Sequence, residues 1–498
     1  MRKEGAQERY LKLVDEVIAR GPFSAEWDSL AKAKLPEWFN EKRLGIFLHW
    51  GVYSVPAYAN EWYPRGMYIQ GTDEFEHHVR TYGSHERFGY KDFIPMFRAE
   101  RFDASEWIRL FRAAGAGYLF PVGEHHDGFQ MYESELSDWN AADKGPCRDV
   151  LGELRSAAEE AGMYFCTSSH RAEHWFFMSH GKEFESDIKE PLRQGDFYWP
   201  AMPEREPENW HSTPAPTEEY LLDWLSRTAE IIVKYRPRLL YFDWWIQHEA
   251  FAPYLKKLAA FYYNMGKSWG QDVMICYKYD AMAFGSGIVE MERGGFEMPK
   301  PYRWQTDTAV ARNSWCYTDS LDYKTSRDLI ITLIDTVSKN GNLLLNIGPK
   351  ADGTIPEKDC LILQDFGKWM SVNSEAIDGT RPWKVSLEGT GNIRQGAFQE
   401  NAEVNYTSGD FRFTARDGVV YAICLACPED GSFCIRSFAS KTDLNDVGKA
   451  AAPFRGLLRR VSVLGYDGNV EWKTDPEGLL VRAPGLYSEF PVVVKLEV

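Results

Sequence analysis

From about residue 40 to residue 375, short apolar segments of the chain alternate with segments whose apolar residues recur at a helical period. Near-continuous apolar runs of this length are typical of parallel strands that are buried on both faces. Repeated strand–helix units of this kind restrict the chain to a parallel α/β fold, and their number and span favour a (β/α)8-type barrel. The strand candidates are Leu44–Trp50, Tyr118–Val122, Met163–Ser168, Leu239–Trp244, Val273–Tyr279 and Leu343–Ile347.

Helix starts in this region carry capping residues. Asp103 stands three residues before Glu106 in a segment that resembles a capping box, which satisfies the free backbone N–H groups at a helix start. Thr217, followed by two glutamates, opens a long segment with an apolar stripe. The spacing of apolar residues within Met1–Ile18 predicts an amphipathic surface helix before the barrel.

The pattern changes after the turn Asp378–Pro382. From there on, short β-rich runs alternate with clusters of Gly, Asp, Asn and Pro, which is typical of an all-β sandwich. We therefore predict two domains. Residues 1–384 would hold the N-terminal helix and the barrel, and residues 385–498 would form a C-terminal β-sandwich.

Charge and hydropathy exclude several classes of function. With 57 Lys and Arg against 73 Asp and Glu, the formal net charge is −16, which opposes binding to nucleic acid or to an anionic membrane. No segment approaches the roughly 18 apolar residues that a membrane-spanning helix needs. The first residues lack the apolar core of a signal peptide, which predicts a cytoplasmic protein. A secreted form whose leader has been removed is the alternative.

Each strand candidate ends in polar or ionisable residues. In a barrel, the carboxyl ends of the strands and the loops after them form the active site. Six apolar strands that all end this way indicate one shared polar pocket, and the aromatic content of 15% indicates aromatic walls around it. The strand ends carry His49-Trp50, Glu124–Asp127, His170-Arg171, Asp243-Trp244-Trp245, Lys278 and Asn346.

Asp243 is the most informative of these residues. It follows a strand and lies between apolar and aromatic neighbours. An isolated aspartate in such a place more often caps a helix or pairs with a cation. Among the other polar strand ends, however, a carboxylate on a rigid strand is suited to act as a nucleophile. It could attack an anomeric carbon whose transition state carries oxocarbenium-like positive charge.

That chemistry needs a second carboxyl group that is protonated at the working pH. The candidates are Glu290, Glu292 and Glu297, within one charged segment. Period-two spacing puts Glu290 and Glu292 on the same side of an extended chain, so spacing does not separate them.

The histidines allow a metal-dependent hydrolase as an alternative. His125 and His126 are adjacent, and adjacent residues on a strand point to opposite faces, which suits one metal ion poorly unless the strand has ended. The chain contains neither a His-x-His nor a HExxH motif. We therefore expect no metal or other cofactor, and we expect the imidazoles to form hydrogen bonds with sugar hydroxyls. The indoles expected to pack on the apolar face of a sugar ring are Trp50, Trp62, Trp244 and Trp245.

Ten segments, in order through some 300 residues, resemble glycoside hydrolase family 29, the α-L-fucosidases. The combination is highly specific, whereas the C-terminal region is similar only in general character. The matching segments are Gly45–Pro56, Asn60–Tyr63, Tyr82-Gly83, Phe88–Phe93, Phe102–Trp107, His125–Phe129, Ser137–Asn140, Trp304–Thr306, Asn313–Trp315 and Ser338–Pro349.

The resemblance implies a retaining exo-glycosidase that has a barrel followed by a β-sandwich. It implies that Asp243 is the nucleophile and that Glu292 is the acid/base, with Glu290 and Glu297 as alternatives. Lys278 stands where an arginine is common in the family. The residues expected to bind the substrate are His49, Trp50, Glu61, Trp62, His125, His126, His170, Tyr241 and Lys278.

The resemblance also implies the substrate class. We expect the substrate to be a fucosylated oligosaccharide or glycoconjugate. We expect no nucleic-acid or membrane partner, and a homo-oligomer is one of the states open to the chain. A glycosidase acting on a related galacto-configured sugar and a catalytically silent fucose-binding protein are the alternatives. The α1,2, α1,3/4 and α1,6 linkages all stay open.

Overall fold

Nine parallel strands form the first sheet of the computed structural model, which describes residues 3–203, 206, 209, 211, 214–392, 395–400, 404–439 and 458–498. They are β1 (Leu44–Leu48), β2 (Tyr118–Glu124), β3 (Tyr164–Phe165), β4 (Thr167–Ser169), β5 (Leu239–Phe242), β6 (Met274–Tyr277), β7 (Ile288–Glu292), β8 (Trp304–Ala309) and β9 (Gly341–Ile347).

This sheet closes on itself. The strand order is β1-β9-β8-β7-β6-β5-β4-β2-β3, and β1 also pairs with β2. The short strands β3 and β4 both pair with β2 and together occupy one position in the barrel. The result is a parallel barrel with eight strand positions, and the predicted (β/α)8-type fold is confirmed.

Strands β7 and β8 were not among the strand candidates. Glu290 and Glu292 alternate with apolar residues in β7, and Gln305 and Asp307 lie in β8, so neither strand has a continuous apolar run. All six residues of β8 are nevertheless buried. Glu290, Gln305 and Asp307 are buried and Glu292 is partly buried, so polar residues occupy positions inside the barrel, and hydropathy alone does not reveal these strands.

The helices cover the outside of the barrel. The Asp103 carboxylate accepts a hydrogen bond from the backbone N–H of Glu106 at 2.9 Å, as the capping residues predicted. Of the helices in the described ranges, none combines the length and the hydrophobicity that crossing a bilayer requires. The helices are α1 (Ala6–Arg20), α2 (Trp27–Leu30), α3 (Glu37–Glu41), α4 (Tyr63–Gly66), α5 (Asp73–Tyr82), α6 (Ala104–Ala113), α7 (Val150–Glu160), α8 (His174–Phe177), α9 (Glu218–Tyr235), α10 (Ala252–Ser268), α11 (Ser326–Ser338) and α12 (Glu357–Asn373).

The described residues that follow the barrel form two antiparallel sheets. Their strands are β10 (Arg381–Glu388), β11 (Phe411–Arg416), β12 (Val419–Cys424), β13 (Ser432–Ile435), β14 (Arg460–Val463), β15 (Glu471–Asp475), β16 (Gly478–Arg482) and β17 (Val492–Glu497). One sheet has the order β10-β11-β12-β17-β14 and the other β13-β16-β15, and apolar side chains from both form one core. The domain boundary predicted between residues 384 and 385 falls within β10 and stays a prediction.

A segment between β10 and β11 returns to the mouth of the barrel. We call residues 395–400 the rim segment. Gly396 and Gly295 exchange two backbone hydrogen bonds, at 3.0 and 3.2 Å. The backbone N–H of Phe398 donates to the carbonyl oxygen of Glu292 at 2.9 Å, so the rim segment lies against the end of β7.

Candidate active site

A cavity of about 510 Å³ opens at the carboxyl ends of the barrel strands. Strand ends converge there because all eight positions run in the same direction around the barrel. The lining residues are Phe47, His49, Asn60, Glu61, Trp62, His125, His126, His170, Tyr241, Asp243, Trp244, Lys278, Tyr279, Glu292, Asp307, Trp315 and Phe398.

Asp243 directly follows β5, and four groups hold its carboxylate. Its Oδ1 accepts from the Lys278 ammonium at 2.6 Å and from the backbone N–H of Trp244 at 2.8 Å. Its Oδ2 lies 2.8 Å from His170 Nδ1 and 3.4 Å from His126 Nε2. Burial opposes ionisation, but Lys278 and the two imidazoles outweigh it and hold the pKa of Asp243 well below its usual value. The side chain is therefore an anion over the working pH range.

Glu292 ends β7 and shares Lys278 with Asp243. The Lys278 Nζ atom contacts Glu292 Oε2 as well as Asp243 Oδ1. Burial raises the pKa of Glu292 to about 7; Lys278 opposes this rise, and the nearby carboxylates of Asp307 and Asp243 add to it. Lys278 thus lies between an ionised carboxylate, Asp243, and a carboxyl group, Glu292, that is protonated in mildly acidic solution.

The structure separates the three glutamates that the sequence left as alternatives. Glu290 lies two residues deeper in β7, is 4% exposed, and accepts a hydrogen bond from Gln305 Nε2 at 2.9 Å. Glu297 lies beyond the strand and is exposed. Neither of these two residues lines the cavity, whereas Glu292 does.

His126 is the cationic imidazole of the cavity. Its Nδ1 lies 3.0 Å from Glu173 Oε2 and 3.1 Å from the carbonyl oxygen of His170. Burial lowers the pKa of His126, but the carboxylates of Glu173 and Asp243 outweigh burial and raise it to about 9. A protonated His126 has no lone pair to offer and can only donate hydrogen bonds.

His49 and His125 are neutral, because burial lowers the pKa of each well below its usual value. His49 Nδ1 lies 2.7 Å from Asn346 Oδ1, an acceptor, so Nδ1 carries the proton and Nε2 is the acceptor nitrogen. Within the described residues, His125 Nδ1 is buried without a hydrogen-bond partner. Both residues line the cavity, so their rings adjoin any ligand bound there.

The expectation that His125 and His126 would face opposite ways depended on where the strand ends. Strand β2 ends at Glu124, so both histidines lie in the loop after it and their ring centroids are 4.3 Å apart. Among the described residues, two trios have ligand atoms close enough for a metal ion. They are His49 with His125 and His170, and His126 with His170 and Asp243.

Both trios depend on His170, whose two ring nitrogens are already engaged. Nδ1 pairs with Asp243 Oδ2 at 2.8 Å, and Nε2 pairs with Ser168 Oγ at 2.9 Å. A metal ion at either trio would have to displace one of these hydrogen bonds. The donor set is therefore better suited to the hydrogen-bonding role than to metal binding.

Aromatic rings and the Glu61 carboxyl group also line the cavity. The rings of Trp62 and Trp244 stack with centroids 6.4 Å apart and an interplanar angle of 23°. Glu61 Oε2 accepts from the backbone N–H of Trp315 at 2.9 Å. Tyr241 donates its hydroxyl hydrogen to Asp307 Oδ2 at 2.8 Å. The predicted residues Glu61, Trp62 and Tyr241 are thus brought together with the histidines.

The structure places Trp50 and Trp245 outside this cavity. Trp50 packs against Phe97, Phe102 and Trp107, and its Nε1 donates to the carbonyl oxygen of Lys350 at 2.8 Å. Trp50 follows His49 directly, and while His49 lines the cavity, the Trp50 side chain joins the apolar layer between barrel and helices. Trp245 is fully buried among aromatic rings.

The sequence analysis missed two carboxyl groups of the site. Asp307 in β8 lies opposite Glu292 in the strand register and lines the cavity. It directly follows Trp304–Thr306, one of the segments that resemble the family. Glu173 lies in the turn after β4, and its carboxylate adjoins His126. The alternation of polar residues in β8 was a usable signal for Asp307, whereas nothing local distinguishes Glu173 from a surface glutamate.

Comparison with known proteins places this cavity in context. The family model of the alpha-L-fucosidases matches residues 11–375. The tissue alpha-L-fucosidase of Rattus norvegicus is 29% identical over 492 residues, with 95% of this chain and 92% of that protein covered. The alpha-L-fucosidase of Dictyostelium discoideum is 29% identical over 443 residues, with 85% of each chain covered. The crystal structure of Thermotoga maritima alpha-fucosidase has a TM-score of 0.73 at 27% identity, with 95% of this chain and 100% of that chain covered.

Proposed function

The chain belongs to the α-L-fucosidase family, a family of glycoside hydrolases, and from this membership we propose that it cleaves terminal α-L-fucosides with retention of configuration. The resemblance read from the sequence is thereby confirmed. The substrate would be a fucosylated oligosaccharide or glycoconjugate.

In the first step, the Asp243 carboxylate attacks C1 of the fucosyl residue. The bond between C1 and the leaving oxygen breaks, and the Glu292 carboxyl group gives its proton to that oxygen. A covalent β-fucosyl ester of Asp243 results. The low pKa of Asp243 and the raised pKa of Glu292 give each group the protonation state that this step requires.

In the second step, Glu292 acts as a base. The negative charge of Asp243 helps to raise the pKa of Glu292, and this charge disappears when the ester forms. The pKa of Glu292 therefore falls in the intermediate, which suits it to take a proton from water. Water then attacks C1, the ester bond breaks, and Asp243 is restored as a carboxylate.

The observation that carries the proposal is the single ammonium group between the two carboxyl groups. Because Lys278 Nζ touches both, Asp243 Oδ1 and Glu292 Oε2 are no more than about 5 Å apart. Carboxyl pairs of retaining glycosidases are roughly 5–5.5 Å apart, whereas inverting pairs are roughly 6.5–9.5 Å apart to leave room for water. This spacing supports attack by Asp243 itself.

The remaining polar groups are suited to hold the sugar. Neutral His49 offers an acceptor nitrogen, protonated His126 offers donors, and Glu61 offers carboxylate oxygens. Trp62 and Trp244 provide ring faces for the apolar side of the sugar. This combination fits a ring with several hydroxyl groups and one apolar face.

Azide rescue tests the two catalytic assignments. Asp243→Gly should lose most of kcat on an aryl α-L-fucoside while it stays folded, and added azide should yield β-fucosyl azide. Glu292→Ala should retain activity best on substrates with good leaving groups and should yield α-fucosyl azide. A matched control is Asp280→Gly, which removes an exposed carboxylate from the same loop as Lys278.

The alternatives make different predictions in the same assays. A silent fucose-binding protein would bind fucose and turn over no aryl fucoside. A galacto-configured specificity would favour the related galactoside that differs from the α-L-fucoside in the substituent on C5. A metal-dependent hydrolase would lose activity with a chelator, whereas the proposed mechanism predicts no effect. Activity of Glu292→Ala equal to wild type on natural linkages would transfer the acid/base role to Glu290 or Glu297.

A further inference from the structure

We propose that Phe398 and Tyr279 form a subsite for the leaving group, in which a pyranose ring attached to fucose packs against aromatic rings. This inference rests on the proposed function. It specifies the chemical class of the leaving group, which is a second sugar. It also makes the rim segment, which lies outside the barrel sequence, part of the active site.

Phe398 is an unusual residue for an exposed loop. Its side chain is 54% exposed, it lines the cavity, and its backbone φ is 57°. A bulky residue rarely adopts this left-handed conformation because it crowds the Cβ atom. Strain of this kind persists where surrounding contacts fix the backbone, and it concentrates at functional sites.

Tyr279 presents a second ring in the same way. It directly follows Lys278, lines the cavity, is 45% exposed, and has a φ of 52°. Large hydrophobic side chains that line a cavity and stay in contact with water are typical of ligand sites. Both residues are close to the proposed catalytic pair. Lys278, which precedes Tyr279, contacts Glu292, and the backbone of Phe398 is hydrogen-bonded to the backbone of Glu292.

Several contacts fix the rim segment relative to the acid/base residue. Besides the Phe398 and Gly396 hydrogen bonds, the backbone N–H of Glu400 donates to the carbonyl oxygen of Arg293 at 3.1 Å. The Arg293 guanidinium donates to Glu400 Oε1 at 2.9 Å and lies 4.4 Å from the centroid of the Trp315 ring in the cavity wall. A Cβ atom on Gly294 would lie 1.9 Å from the carbonyl oxygen of Gly396, so only glycine permits this approach.

The chemistry of the occupant follows from these positions. Glu292 donates its proton to the leaving oxygen, so a group attached to that oxygen lies beside Glu292 and therefore beside Phe398. A pyranose has a face of C–H groups that packs on an aromatic ring while its hydroxyl edge stays in water. Two half-exposed rings at an open mouth fit such a ring.

The test compares two substrates that differ in the leaving group. One is α-L-fucosyl fluoride, whose leaving group has no ring, and the other is the fastest-cleaved member of a set of α1,2-, α1,3-, α1,4- and α1,6-linked fucosyl disaccharides. In Phe398→Ala, the ratio of kcat/KM for the disaccharide to kcat/KM for the fluoride should fall about tenfold relative to wild type. Phe398→Leu, which keeps most of the side-chain volume but lacks a ring, should show a similar fall in the ratio. Phe398→Tyr, which keeps an aromatic ring, should have the wild-type ratio.

The matched control is Phe284→Ala. Phe284 is 67% exposed, lies in the same β6–β7 loop as Tyr279, and does not line the cavity, so its removal should leave the ratio at the wild-type value. An unchanged ratio in both Phe398→Ala and Phe398→Leu would overturn the inference. So would a wild type that cleaves the fluoride but no disaccharide. A wild type that cleaves neither substrate would instead overturn the proposed function.

Discussion

Lys278 contacts both carboxyl groups of the proposed catalytic pair and, beside burial, influences the pKa of each. It lowers the pKa of Asp243 and opposes the rise in the pKa of Glu292. Its own pKa is raised, since the carboxylates outweigh the effect of burial, and the ammonium group stays charged. A lysine here concentrates the charge at one atom, whereas an arginine would spread it over a planar fork.

Removing this charge should shift the pH profile. In Lys278→Met, the pKa of Asp243 and the pKa of Glu292 should both rise, so both limbs of the kcat/KM profile should move to higher pH, and kcat should fall at least about tenfold. Lys278→Arg, which keeps the charge, should leave the limbs near their wild-type positions. Limbs that do not move in Lys278→Met would contradict the role of the ammonium group.

The wild-type profile should be bell-shaped. Asp243 must be ionised, so activity should appear as pH rises through its low pKa. Glu292 must be protonated in the first step, so kcat/KM should decline as pH rises through about 7. Measurements of kcat/KM from pH 4 to 9 on a poor leaving group test the decline above neutral pH, since the limb set by Asp243 lies in stronger acid. In Glu292→Ala with a good leaving group, the decline above neutral pH should vanish; its persistence would point to another acid.

At the level of secondary structure, β7 and β8 explain what the sequence could and could not predict. The apolar strands β1, β2, β5, β6 and β9 were identifiable because both faces are buried among apolar side chains. In β7 and β8 the buried residues include acids and amides, and an analysis of hydrophobic periodicity treats such residues as surface residues. The pairing that places Glu292 opposite Asp307 is a contact between strands, which no local pattern contains.

The same reasoning applies to the choice between Glu290 and Glu292 for the proposed acid/base role. Glu290 and Glu292 share one side of β7, as their spacing predicted, but the position along the strand decides which of them reaches the cavity. The position of each glutamate relative to the cavity depends on where β7 ends relative to the neighbouring strands. Trp50 shows the converse, because its place at a strand end indicated the pocket while its side chain joins the core beside it.

The close approach of the rim segment to the end of β7 predicts sensitivity at Gly294. In Gly294→Ala the added methyl group would meet the Gly396 carbonyl oxygen, so the rim segment and the Glu292 backbone must separate. We expect kcat/KM on fucosyl disaccharides to fall by about tenfold or more, with retained circular dichroism. Gly409→Ala is the control, since its Cβ would make only an ordinary contact. Equal activity of both variants would contradict a role for this contact.

At the level of the whole molecule, a buried ion cluster ties the C-terminal sheets to the barrel. Asp335 on α11 pairs with Arg412 on β11 and, at 2.7 Å, with Lys339 after the helix. All three side chains are buried. Burial opposes ionisation of Asp335, but the two cations outweigh it and lower its pKa, so the carboxylate stays ionised.

Asp335→Asn should therefore leave two buried cations without their anion and destabilise the protein by about 3–5 kcal/mol, which thermal unfolding at pH 7 would show as a lower Tm. Because the pKa of Asp335 is lowered on folding, its contribution is present above the usual aspartate pKa and is lost as pH falls through the lowered value. The Tm difference between wild type and variant should thus shrink in strong acid. Exposed Asp417→Asn is the control and should leave Tm unchanged.

The stereochemistry of the first-formed product tests the central claim most directly. Proton NMR during cleavage of an aryl α-L-fucoside distinguishes α-fucose from β-fucose before mutarotation mixes them. Because Asp243 and Glu292 flank one ammonium group about 5 Å apart at most, we predict that α-L-fucose appears first. Initial formation of β-L-fucose would mean that water attacks C1 directly, and it would contradict Asp243 as the nucleophile.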